Sequence, residues 1–202
     1  MIARSKYGGR ATGMHRSRTG ELAVAAAAAL GVAAISMYVA PNLAGAMGAG
    51  LGLIMLTIAA IDARHFIIPD SLNAAALALG LVQAVILGGQ ERWAALVEAC
   101  LRAAVLAVLF FLLRAGYARL RGWHGIGLGD VKLAAVAGAW LDWLVMPVAV
   151  EIAALSALGA YLAHHLLRGG TLRATARLPF GLFFAPAIWI GWLLQVTWLA
   201  GW

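Results

Sequence analysis

The chain has 202 residues, of which 64% are hydrophobic and 11% charged. Soluble domains are roughly half apolar and about a quarter charged, so this composition, with a mean hydropathy of +0.91, excludes an ordinary soluble domain and a disordered chain. The formal charge is +7, but the basic residues sit in gaps between apolar runs, which makes them topology signals for a membrane chain rather than a nucleic-acid surface.

The predicted fold class is all-α, a polytopic transmembrane helical bundle of about seven spans. A span takes roughly 20 apolar residues, and the short alternating segments of a membrane barrel are missing. Residues 1–21 form a basic N-terminal segment with Arg4, Lys6, Arg10, Arg16 and Arg18, and residues 22–202 form the membrane domain. The first apolar run, 22–40, is long for a cleavable signal and another run follows at once, so it reads as a retained helix. Pro41-Asn42 is a turn signal before the second run, 43–61. Gly48 and Gly52 make a GxxxG there, which permits close helix approach. The third run is 72–89 and the fourth 93–113. In the fourth, Glu98 and Arg102 stand four apart and pair on one helix face. Cys100, the single cysteine, rules out a disulfide framework and reads as a packed thiol. A fifth span at 132–146 and a sixth at 148–167 are divided by Asp142 and Pro147. The sixth holds Glu151, for which no partner is evident. The seventh is 179–202.

Placing the N-terminus in the cytoplasm puts 13 of the 15 basic residues on the inner side. Only Arg92 then falls outside, while Arg102 lies within a span. The positive-inside rule therefore favours N-in, C-out. The same orientation brings Trp93, Trp140, Trp143, Trp198 and Trp202 to the outer interface.

Two acids stand at span ends. Asp62 closes the second run and Asp130 opens the fifth, after the glycines Gly125, Gly127 and Gly129. Both belong to the cytoplasmic level, on different spans. Ionisable groups at membrane depth are costly and tend to mark function. Two nearby carboxyls hold one proton between them, so one activates a water while the other donates to a peptide carbonyl. Spacing alone leaves two bland alternatives open: Asp62 as a loop acid beside Arg64, and Asp130 as a helix cap. Asp70 reads as an acid of the cytoplasmic gap, and Asp142 as one on the far side of the membrane. No HExxH or GxSxG motif is present. The histidines at 15, 65, 124, 164 and 165 lack metal-ligand spacing, so no metal or cofactor is expected.

Three blocks carry a resemblance. Asp62 is followed by Ile68-Pro69-Asp70 and Ser71-Leu72-Asn73. Gly127-Leu128-Gly129-Asp130-Val131-Lys132-Leu133 is a GxGD block. Leu178-Pro179-Phe180-Gly181 continues to Pro186. Over about residues 43–200 the sequence resembles the type IV prepilin peptidase family of GxGD aspartic membrane peptidases. The resemblance implies that Asp62 and Asp130 are the catalytic pair, with Gly127, Gly129, Lys132, Pro179, Phe180 and Gly181 shaping the site. It implies prepilin or pseudopilin precursors as partners, cut after a glycine that ends a short basic leader. Cleavage would occur at the cytoplasmic face of the inner membrane, in service of a pilus or secretion system, with lipid as the other contact and no nucleic acid. Leu182 departs from the family, where proline is common. Many bacterial members also methylate the new N-terminus, through a cytoplasmic domain between the first span and the rest, often with paired CxxC motifs. Here Pro41-Asn42 joins the first two spans and one cysteine exists, which resembles the short, peptidase-only branch. Two competing readings keep the same acids. One is a transporter or secretion-assembly subunit using them as proton or cation sites. The other is a presenilin-like protease cutting within the bilayer.

Overall fold

A computed structural model describes residues 8–121, 126–168 and 179–199, with side chains over 20–120, 126–167 and 179–198. Seven α-helices follow in order: α1 (Gly8–Val39), α2 (Leu43–His65), α3 (Asp70–Leu87), α4 (Arg92–Arg121), α5 (Leu128–Trp140), α6 (Val145–Arg168) and α7 (Phe180–Leu199). A single 3-10 turn at Gly89–Glu91 links α3 to α4. Among the described residues there is no strand. Six helices, all but α5, are long and apolar enough to cross a membrane.

The helices begin and end for local reasons. Asn42 caps α2, its side-chain oxygen accepting from the Ala44 N–H at 2.9 Å. That satisfies one of the amides a helix start leaves open. At the other end Phe66 takes a left-handed conformation, φ 56°, and its N–H donates to the Asp62 carbonyl. Pro147 lies in the first turn of α6, where a missing N–H costs nothing.

In the core α5 packs against α4, α3 and α7, and α7 in turn packs against α2 and α6. Every residue of α5 from Val136 to Trp140 is buried, and so are Leu133 and Ala134. Glycines form sockets for bulky partners. A Cβ on Gly48 would lie 2.1 Å from the Trp192 ring, and one on Gly52 would lie 2.4 Å from Val32 and 2.8 Å from Trp189. The GxxxG of α2 thus receives two tryptophans of α7. Gly138 of α5 meets the α4 backbone itself: a Cβ there would sit 2.4 Å from the Arg102 carbonyl oxygen.

Several sequence expectations are revised. The first helix starts at Gly8, inside the expected polar segment. The fourth runs on to Arg121, two turns past its apolar stretch. The fifth lies at 128–140, not 132–146. It starts early because the Asp130 carboxylate accepts the Gly127 N–H. It stops early because Leu141 is extended and the Asp142 N–H donates to Gln195 at 2.7 Å. Trp140 is not an interfacial residue: it is 2% exposed, and its indole N–H donates to the Ala76 carbonyl at 2.8 Å. Trp93, Trp143 and Trp198 are exposed, and Trp202 lies outside the described residues. Cys100 is exposed rather than packed, because α4 turns Ala99, Arg102, Ala103 and Leu106 inward instead. Glu98 and Arg102 do pair, at 2.9 Å. Glu151 is on the exposed face of α6.

Candidate active site

The site forms where α2 ends and α5 and α7 begin. Asp62 stands one turn before the end of α2 and is 4% exposed. Its Oδ2 accepts the Leu182 N–H at 2.9 Å, with the Gly181 amide beside it. Both amides belong to the first turn of α7, where helix N–H groups lack the usual partner one turn back. A buried carboxyl and an open helix start therefore satisfy one another.

Gly181 is what allows this approach. A Cβ on it would lie 2.8 Å from Asp62 Oδ2 and 2.7 Å from Ile68 Cδ1. A Cβ on Gly129 would lie 2.9 Å from Ile68 Cβ. Ile68 is thus wedged between the two glycines and joins the three sequence blocks into one site. Only glycine at 129 and 181 leaves room for it.

Asp130 opens α5 and is half-buried. Its Oδ2 accepts the Gly127 N–H at 3.0 Å, so it does cap the helix. That capping uses one oxygen, and among the described residues no hydrogen bond to the other is found, so the bland role does not exclude chemistry. Asp130 lies outside the six membrane-length helices. Burial pushes its carboxyl up to about 6, the Gly127 N–H pulls it back, and the charge of Asp62 adds to the rise. The two carboxyls therefore feel one another across the site.

The remaining site residues take varied places. Lys132 pairs with Asp70 at 2.6 Å, which ties the GxGD block to the Ile-Pro-Asp block at the surface. Asp70 is therefore engaged with α5 and is not a bystander of the gap. Asp142 also has a partner, Arg102, at 3.6 Å. Pro179 precedes α7, its carbonyl accepting the Leu182 N–H at 3.2 Å. Phe180 packs on Phe184, ring centroids 5.4 Å apart. Phe184 in turn stacks on Phe110. Gly125 and Leu178 lie outside the described residues. Sequence reasoning missed two contributors. Ile68 was visible only as part of a motif. Arg114, counted as a topology charge, donates to the Ile126 carbonyl and holds the glycine segment ahead of α5. Among the described residues no three His, Cys, Asp or Glu side chains gather to hold a metal ion.

The family model described as the type IV leader peptidase family matches residues 49–162, more than half of the chain. The chain belongs to this family. The match runs from α2 through α6 and takes in both Asp62 and Asp130. Among relatives in the family, a prepilin leader peptidase/N-methyltransferase of Burkholderia pseudomallei is 36% identical over 170 residues, covering 79% of this chain and 50% of that protein. One of the same description from Stutzerimonas stutzeri is 32% identical over 169 residues, covering 81% and 56%. The leader peptidase HopD of Escherichia coli is 36% identical over 132 residues, covering 65% of this chain and 82% of that protein. The chain spans about half the length of the prepilin leader peptidase/N-methyltransferases it matches. No solved structure matches it.

Proposed function

We propose that the chain is a membrane aspartic endopeptidase that removes the basic leader of prepilin-like precursors. What supports this reading is that Gly181, against Asp62, and Gly129, next to Asp130, both pack on Ile68, so that acids from two helix ends belong to one site, in a member of the leader peptidase family. The paired acids hold one proton. The ionised carboxylate takes a proton from water as its oxygen attacks the scissile carbonyl carbon, and the protonated carboxyl donates to the carbonyl oxygen. The tetrahedral intermediate then collapses, the C–N bond breaks and the amine leaves with a proton from the acid just protonated. The names of the relatives support a prepilin-type substrate. Co-expression with candidate prepilins tests the reading: each true substrate shows a leader-sized mobility shift, and no shift with any of them rejects it.

The N-in, C-out orientation is part of the proposal, since it opens the site to the cytoplasm. Cysteines replacing Glu91 and Arg121 in a Cys100→Ala background test it. Externally added maleimide should reach position 91 and not 121. The reverse pattern would turn the bundle over and with it the cut.

We assign no methylation to this chain. Its single cysteine is Cys100, and only three residues, 40–42, separate α1 from α2. Mass spectrometry of substrate processed by the purified protein with a methyl donor should show an unmodified new N-terminus. A methyl group placed there would overturn the assignment.

A further inference from the structure

The thirteen residues of α5 rise about 20 Å, against roughly 30 Å of hydrocarbon in a bilayer. The helix therefore ends inside the bundle, where Trp140 and Leu141 are buried. A helix end leaves carbonyls without intrahelical partners, and at membrane depth each one left open is costly. Groups from three other helices meet this end: two side chains and one backbone carbonyl. Arg102 of α4, 8% exposed, donates its Nε–H to the Gly138 carbonyl at 3.2 Å. Its Nη1 lies 2.9 Å from Glu98 and 3.6 Å from Asp142. Gln195 of α7 accepts the Asp142 N–H. Ala76 of α3 accepts the Trp140 indole N–H. A cavity of about 220 Å³ lies over the end, lined by Arg102, Glu98, Asp142, Gln195, Trp140 and Gln83. The Gln83 Oε1 is buried and has no partner among the described residues.

A buried arginine with two carboxylates is weak evidence for stability, because desolvation offsets the attraction. Its geometry points to another use. Gly138 sets how closely α5 lies against α4, and the Arg102 bond to the carbonyl of that same residue sets α5 along its axis. The helix is a short rod, and its other end carries Asp130. We infer that Arg102 is a positioning residue: with Asp142 and Gln195 it fixes the height of α5 and so the separation of Asp130 from Asp62. The inference rests on the proposed pairing of these acids. Among the described residues the charge that acts on Asp130 is Asp62 of α2, and Lys132 of α5 is paired with Asp70 of α3; all are remote in sequence from Arg102 and on other helices.

The experiment reads position and chemistry separately. Lys132→Cys with Asp70→Cys, in a Cys100→Ala background, places two exposed thiols across the α5 start, where the native side chains meet at 2.6 Å, within reach of a short bismaleimide. With Arg102 present the pair should cross-link nearly fully. Arg102→Leu should cut the yield at least about fivefold at equal protein level, because the short rod is no longer held at its buried end. Arg102→Lys keeps the charge but loses the Nε bond to Gly138, and should give an intermediate yield. Joining Glu98→Gln and Asp142→Asn to Arg102→Leu leaves no unpaired charge, which supports folding if the single variant fails to accumulate. That triple variant should remain poorly cross-linked. In the cysteine-free background, Arg102→Lys should lower processing about tenfold and narrow its pH profile, because acids further apart couple less. A mere loss of folded protein lowers the rate without changing that profile. Equal cross-linking across the Arg102 variants overturns the positioning role. So does lost cross-linking with an unchanged pH profile. If Asp62→Asn or Asp130→Asn processes normally, the pairing itself fails, and the cross-linking yield still decides whether Arg102 holds α5.

Discussion

Asp62→Asn and Asp130→Asn should each lower the proposed leader removal by about a thousandfold or more while the protein still accumulates in the membrane. The amide keeps the size of the carboxyl and one acceptor oxygen. An amide at position 62 can still accept from the Leu182 N–H, and one at position 130 from the Gly127 N–H, so both helix starts keep the partners they have now. The exchangeable carboxyl proton is gone, and both steps of the proposed mechanism pass through it. Groups that act as one unit lose most of their effect on the first substitution, so the double variant should be little worse than either single one. Controls must come from acids without a structural partner. Asp70 and Asp142 do not qualify, because they pair with Lys132 and Arg102. Glu91→Gln and Glu151→Gln are the suitable choices: both residues are exposed, and both variants should process normally. The measurement is the fraction of a co-expressed prepilin converted per unit of membrane-bound enzyme. Normal conversion by Asp62→Asn or Asp130→Asn returns the acids to interfacial structure.

Hydropathy and turn chemistry read most of the bundle correctly because they report where apolar helices begin and break. Pro41-Asn42 is a turn by composition, and Asn42 caps α2 as its type suggests. Glu98 and Arg102 are four apart on one apolar run, so their pairing follows from helical geometry. The failures share one cause: hydropathy does not see which backbone and side-chain groups find partners across the bundle. Asp142 and Pro147 mark a break, but residues 141–146 are otherwise apolar, so composition carries the fifth span on to 146 instead of ending it at Trp140. What ends it is Gln195, 53 residues along the chain. Trp140 resembled an interfacial ring for the same reason, since its partner Ala76 is 64 residues away. Asp70 and Lys132 were each visible within a motif, but their contact joins positions 62 apart. The acids of the candidate site stood out because a charge at the end of an apolar run needs an explanation. Ile68, an apolar residue near other apolar residues, did not.

Gly181→Ala tests the site from the steric side and should lower processing by about a hundredfold, the scale of an ångström-sized misplacement at a reacting group. The new methyl would meet Ile68 Cδ1 at 2.7 Å, Asp62 Oδ2 at 2.8 Å and Asp62 Cγ at 3.1 Å. Contacts under 3 Å cannot stand, so something moves. The tip of Ile68 moves easily, because it is the end of a flexible side chain. The carboxyl of Asp62 does not: it is buried, and shifting it breaks the bond from the Leu182 N–H. The two causes separate by a second substitution. Ile68→Val removes Cδ1 and relieves that contact alone, so Gly181→Ala with Ile68→Val should recover only a small part of the lost rate. Gly129→Ala is the comparison, since the nearest atoms to its methyl across the site would all belong to Ile68, and its loss should be milder than that of Gly181→Ala. Rates are taken per unit of folded membrane protein, so that a packing defect is not counted as a lost reaction. Full recovery in the Gly181→Ala, Ile68→Val double variant would make Ile68 the constraint. In that case the glycine would be there for packing, and the close approach of α7 to Asp62 would have no part in cleavage.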